Sequence, residues 1–252
     1  MRAIVSIHSY RGGTGKSNTV ANVAALLAQR GRRVGVADTD IQSPGIHTIF
    51  GLRETDISRS LNDYLWGNCP VRDAAYDVTP APCAAGGGKV FLLPASIRAG
   101  DIVRILQDGY DVSLLNTGFT ELSAALSLDY LLIDTHPGLS EETLLSIAIS
   151  DRLVVLLRPD EQDYQGTSVT LKVAERLAVP SLGLMVNKAP GTILNDKLRA
   201  SLETNYGHPV WAMAPHSDAL MLVGSARLFG LEAPNDPVTR AWQALADRLE
   251  TP

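Results

Sequence analysis

The sequence predicts a doubly wound α/β fold, a mostly parallel sheet flanked by helices, and three observations predict it. Short β-branched apolar runs recur along the chain, and helix-length segments separate them. Most of the runs are apolar on consecutive rather than alternate positions, as in strands covered on both faces of a parallel sheet. Strand, helix, strand in repetition winds such a sheet in both directions.

The runs are, in order, "AIVSIH" (3–8), "RVGVAD" (33–38), "KVFLLP" (89–94), "YLLID" (130–134), "RLVVLLR" (152–158), "LGLMVN" (182–187) and "PVWAMAP" (209–215). Between the first two, residues 16–30 read as a helix with Val20, Val23, Ala24 and Leu27 on one face. Residues 79–89, "TPAPCAAGGGK", are rich in Pro, Ala and Gly. Strand character resumes at once after them, so they read as a surface loop inside one domain rather than as a linker. The last segment places Val238, Ala241, Trp242, Leu245 and Leu249 at helical spacing, the pattern of a helix docked on the core. The expectation is a single domain over residues 1–252.

Hydrophobic residues make up 45% of the 252 and charged residues 19%, which argues against extended disorder. The formal net charge of -5 argues against a whole-surface grip on nucleic acid. The 22 basic residues divide into 17 Arg and 5 Lys. Cys69 and Cys83 have neither zinc nor redox spacing and read as ordinary thiols. No stretch approaches the roughly 20 apolar residues of a membrane span. "MRAIVSIHSY" is too short an apolar run for a signal peptide. A cytoplasmic protein is expected.

The chemistry concentrates in "SIHSYRGGTGKSNTV", residues 6–20, directly after the first strand and opening the first helix. Gly12, Gly13 and Gly15 let successive backbone N–H groups converge on phosphate oxygens, with the helix dipole aimed at the same point. Lys16 can reach the β- and γ-phosphates, and Ser17 can offer its hydroxyl to Mg²⁺. Thr14 and Asn18 complete the expected cradle. The general pattern G-x-x-x-x-G-K-[ST] would need glycine where this chain has Tyr10.

The loop resembles instead the deviant form K-G-G-x-G-K-[ST] of the MinD/ParA family of ATPases, with Arg11 in place of the signature lysine. In that family the signature lysine crosses a dimer interface to the other subunit's nucleotide. Two readings of Arg11 stand side by side. In a chain this rich in arginine it can keep the lysine's task as a simple cation. Alternatively its longer, forked guanidinium changes that task or shifts the dimer geometry.

The resemblance extends to the carboxylates. "VADTD" ends the second strand with Asp38 and Asp40 two residues apart, at the crevice end of the sheet. It implies that Asp40 orients the attacking water and that Asp38 lies nearer the metal. "YLLIDTHPG" presents Asp134 as a Walker B carboxylate for hydrated Mg²⁺. It also implies that Gly138 offers an N–H to the γ-phosphate as a second switch. His136 occupies a variable position of that motif and reads as packing or surface. Asn187 of "VNKAP" matches the adenine-reading position, and Pro215 and Asp218 resemble the loop over the base.

The resemblance therefore implies ATP/ADP and Mg²⁺ as cofactors, an ATP-dependent homodimer, and a protein partner that stimulates slow hydrolysis. A DNA or membrane platform gains no support from the charge or from the mixed charges of the last helix. Iron–sulfur relatives need paired cysteines that Cys69 and Cys83 do not supply. Relatives with an added winged-helix domain or a terminal tyrosine cluster are not matched. The alternative is a regulatory module that holds nucleotide with little hydrolysis. A ligase of the same fold would need a substrate pocket that residues 41–130 do not announce.

Overall fold

The computed structural model describes residues 1 and 3–251. Its strands are β1 (Ala3–His8), β2 (Arg33–Asp38), β3 (Tyr76–Asp77), β4 (Lys89–Leu93), β5 (Tyr130–Asp134), β6 (Arg152–Leu157), β7 (Ser181–Ala189) and β8 (Val210–Pro215). They form a sheet in the order β3-β4-β2-β5-β1-β6-β7-β8. Every neighbouring pair is parallel except the two-residue edge strand β3, which runs antiparallel to β4. The chain leaves β1, passes over β5 to β2, builds outward, returns to β5 and then builds the other way. The strand order thus reverses beside β1, and a crevice at that point is where such sheets bind ligands.

The unbroken apolar runs are explained by the sheet's two faces. Ala3, Val5 and Ile7 of β1 join the core beneath the first helix, α1 (Lys16–Gln29), while Ile4 joins the core on the opposite face. Leu132 and Leu131 of β5, and Val154 and Val155 of β6, divide in the same way.

Helix α1 is buried well beyond its expected stripe. Val20, Val23, Ala24 and Leu27 are fully buried, and so are Ala21, Asn22 and Ala25. The additional cover comes from the terminal helix Pro237–Glu250, which packs on α1 and β8. Asp236 caps it by accepting from the Val238 N–H, and Pro237 at the first turn gives up no needed donor. Trp242, 1% exposed, donates its indole N–H to Thr19 Oγ1 at 3.3 Å. Truncating it to alanine would cost about 3–5 kcal/mol.

Residues 79–89 lie largely at the surface, but a short helix replaces part of the expected loop. They contain the short helix Ala81–Ala85, whose Cys83 is fully buried and donates its S–H to Ala25 O at 3.3 Å. Gly88 passes so close to the end of α1 that an added Cβ would collide with the Ala28 carbonyl. Gly86 and Gly88 thus mark close backbone contacts with the end of α1, whereas Gly87 turns through open space at φ +79°.

Candidate nucleotide site

Sheet register brings the predicted carboxylates together. Asp38 and Asp134 are direct register partners at the ends of β2 and β5, and Ile7 of β1 is the neighbour of Asp134 on its other side. The residues after these three strand ends therefore rim one cleft. It measures about 500 Å³ and is lined by the glycine loop on one side, Asp40, Ser43 and Pro137 on another, and Lys188 and Ser225 on a third. That size suits a nucleotide.

The loop is held from beneath by a residue the sequence pattern did not single out. Ser9 Oγ donates to Arg11 O at 2.7 Å and accepts from Thr14 Oγ1 at 2.8 Å and from Lys16 Nζ at 3.2 Å. One hydroxyl thus spends its proton and both lone pairs on the loop. Gly13 and Gly15 sit at φ +76° and +97°, and Gly15 also serves as the left-handed residue at the start of α1. A Cβ on Gly15 would lie 2.6 Å from Asn187 Nδ2, so both the backbone angle and the space require glycine there.

Lys16 is 7% exposed. Burial lowers its pKa, opposed by the negative fields of Asp134 and Asp40. It is a desolvated cation waiting beside carboxylates, which is what an incoming triphosphate would find.

The carboxylates show the complementary strain. Asp38 and Asp134 are 1% and 2% exposed. Asp38 Oδ1 accepts the Asp40 N–H at 3.1 Å, but Asp38 Oδ2 and Asp134 Oδ1 are buried without hydrogen-bond partners. Burial pushes the Asp134 carboxyl up to about 6, although the neighbouring Ser17 hydroxyl and Lys16 favour its ionised form. Asp38 is raised well above the carboxylate range, first by burial and then by the charges of Asp134 and Asp40. Two orphaned oxygens beside a serine hydroxyl fit a divalent cation. Among the described residues, no group of three or more His, Cys, Asp or Glu forms a complete metal cage.

Asp40 is half-buried, and its Oδ1 lies 2.7 Å from Nδ1 of His136. His8, fully buried at the end of β1, bonds Thr135 Oγ1 through Nδ1 at 2.8 Å. Burial, followed by the positive fields of Lys16 and His136, lowers its pKa to about 3. Gly138, at φ +84°, donates its N–H to Ser9 O at 3.3 Å. The proposed second switch therefore touches the foot of the phosphate loop.

At the far wall, Asn187 donates Nδ2–H to Thr14 O at 2.7 Å, and its Oδ1 accepts the Lys188 N–H at 3.0 Å. Lys188, at φ +55° where the β7–β8 pairing is irregular, donates from Nζ to Gly13 O at 2.7 Å. The sequence had supplied Lys188 without a task. Ser225, at φ +58°, accepts from Asn18 Nδ2 at 2.9 Å and closes the cleft. Pro215 is half-buried at the end of β8, and Asp218 is exposed and paired with His216 at 3.1 Å. Neither is among the residues lining the cleft.

Arg11 also points elsewhere. It lines a shallow depression with Tyr10, Gln162 and Val169, and its guanidinium lies 3.9 Å from both Asp160 and Asp163. The loop therefore carries one cation turned inward, Lys16, and one turned outward.

A glycine loop on a helix N-terminus, set at the switch point of this sheet above a buried lysine, defines a P-loop nucleotide-binding protein. The family model described as "AAA domain" (AAA_31) matches residues 2–181, and the chain belongs to that family and has the fold of the MinD/ParA proteins. An uncharacterized ATP-binding protein of Methanocaldococcus jannaschii is 27% identical over 99% of this chain and 88% of its own length. An iron–sulfur cluster carrier protein of Pseudomonas fragi is 26% identical over 98% of this chain and 81% of its own. The septum site-determining protein MinD of Pyrococcus horikoshii, solved with Mg-ADP, superposes with a TM-score of 0.82. It is 23% identical, and the match covers 100% of this chain and 97% of that one.

Proposed function

We propose that this chain is an ATP-hydrolysing molecular switch that dimerises when it holds Mg-ATP and then engages or positions a protein partner. The observation that carries this reading is a cleft lined by a buried lysine and the half-buried Asp40, with the orphaned oxygens of Asp38 and Asp134 at the paired strand ends behind its lining. The glycine loop and Lys16 would hold the phosphates. Ser17, Asp38 and Asp134 would hold the cation and its waters, and the cation would neutralise charge on the phosphates.

Asp40 would orient a water toward the γ-phosphorus. The new P–O bond forms from that water as the bond to the β,γ-bridging oxygen breaks, giving ADP and phosphate. Gly138 would release Ser9 O to bind the γ-phosphate, linking nucleotide state to loop position. Asn187 would keep one N–H and lone-pair capacity for adenine, with Pro215 and Asp218 shaping the approach. Arg11 would cross to the second copy. Residues 1–252 would act as one unit, in keeping with the single sheet, and in the cytoplasm, in keeping with two free cysteines. Among the described residues no helix is long and apolar enough to cross a membrane.

The test is Asp40→Ala. It should bind ATP as the parent does, lose turnover by about 100-fold, and persist as an ATP-dependent dimer in light scattering. Unchanged turnover would remove Asp40 from its role. A second reading, a nucleotide-holding regulator with little hydrolysis, draws support from Arg11 lying on Asp160 and Asp163 instead of on the cleft. Phosphate release by the parent, measured alone and with candidate partners, separates the two.

A further inference from the structure

We infer that His136 is a positioning residue for hydrolysis: its imidazole ties the second switch to Asp40 and fixes the carboxylate that orients water. The inference deepens the proposed ATPase function and rests on it.

Asp40 follows β2 and His136 follows β5, 96 positions later in the chain, and the two strands are neighbours in the sheet. A carboxylate oxygen has no hydrogen to offer, so Nδ1 of His136 carries the proton and donates it to Oδ1 at 2.7 Å. The same Oδ1 accepts from the Ser43 N–H at 3.2 Å and the Ser43 hydroxyl at 2.9 Å. Three donors on one oxygen fix the rotation of the carboxylate. Oδ2 is thereby left as the oxygen that Asp40 can turn to a ligand in the cleft it lines.

His136 is itself held at its backbone. Its carbonyl accepts from Thr143 Oγ1 at 3.2 Å, at the N-terminal turn of the helix Glu141–Ala148. Two residues on, Gly138 donates to Ser9 at the foot of the phosphate loop. The imidazole therefore gives a movement of this loop a direct side-chain route to Asp40. Serine alone would hold the carboxylate from its own strand end and would report nothing about the second switch.

The experiment compares the parent, His136→Ala and His136→Asn as full chains. Asparagine places an amide N–H where Nδ1 sits, without the rest of the ring. Turnover is measured at saturating Mg-ATP, and nucleotide affinity by titration with a fluorescent ATP analogue. His136→Ala should lower kcat about tenfold with affinity within about twofold of the parent, and His136→Asn should regain most of the loss.

An alanine variant that turns over like the parent would overturn the inference. So would an asparagine variant no better than alanine, or a loss of affinity that parallels the loss of kcat. A second readout needs no turnover. Imidazole ¹H–¹⁵N spectra should show the His136 Nδ1 resonance shift in Asp40→Ala, and an unmoved resonance would contradict the contact. A parent with no turnover alongside a shifted resonance would defeat the hydrolysis reading, and the positioning role with it, while leaving the contact established.

Discussion

Lys16 and Arg11 stand five residues apart in one loop, and the structure treats the two cations in opposite ways. Lys16 is nearly buried, bonded to Ser9 and faced by Asp134 and Asp40, so its charge has been stripped of water. Arg11 is 41% exposed and meets Asp160 and Asp163 only at 3.9 Å, a distance and exposure at which an ion pair contributes about 0–1 kcal/mol. The buried cation has been committed to one cleft of its own chain, and moving it would leave carboxylates uncompensated. The exposed one can leave its partners at small cost and reach another surface. Burial therefore separates a cation fixed within its own chain from one whose partners hold it only weakly.

Substitutions at the two positions should reproduce that contrast. The largest effect belongs to Lys16→Ala, which should weaken ATP binding by about 100-fold or more, the worth of one or two charge-assisted hydrogen bonds in a dry site. Calorimetric titration of the variant checks it, and affinity within a few-fold of the parent would break the comparison. Arg11→Ala should act on a different quantity. It should leave nucleotide affinity of the monomer within about threefold, while weakening ATP-dependent dimerisation by about 10- to 100-fold, read by light scattering across protein concentration. Normal dimerisation by this variant would return Arg11 to the surface.

The smallest effect sharpens the inward side of the contrast. His8 lies under the loop with its pKa lowered from 6.5 to about 3, by burial first and then by Lys16 and His136. The unfolded chain accepts a proton there near pH 6.5, whereas the folded chain resists it until about pH 3. Stability contributed by the neutral ring is thus complete above pH 6.5 and falls as pH drops through that value. Between pH 7 and 5 the loss amounts to about 2 kcal/mol. Denaturant titrations of His8→Asn, which keeps a partner for Thr135, should show that much less loss over the same interval. An unchanged slope would mean that the ring carries no buried penalty.

How much of this was legible follows from where each signal lies. Seven strands could be read because both faces of each are covered, and the resulting apolar runs survive in the sequence. The two residues of β3 could not, since Tyr76 and Asp77 form no pattern and owe their pairing to β4. Within residues 79–89 the packing of Gly88 was not legible, because glycine marks close backbone contact as readily as looseness, and only the neighbouring Ala28 carbonyl decides between them. The phosphate loop was legible because its spacing is local. Asp38 and Asp134 could be nominated from their strand ends, but that they face each other is a matter of sheet register. The Asp40–His136 contact and the Lys188 bond to Gly13 join residues 96 and 175 positions apart, and no local spacing encodes them. Ser9 lay within the conspicuous loop segment yet was hidden by its ordinary type, since a serine becomes a hub only when three partners surround it.

The central claim is that the cleft above β1 holds an adenine nucleotide together with a divalent cation. Isothermal titration of the full chain with ATP, with and without Mg²⁺, tests it most directly. The account predicts one site per chain and a heat that is much larger with the cation, because the cation would neutralise phosphate charge and give the orphaned oxygens of Asp38 and Asp134 a partner. Binding of equal strength without Mg²⁺, or no heat in either case, would contradict it.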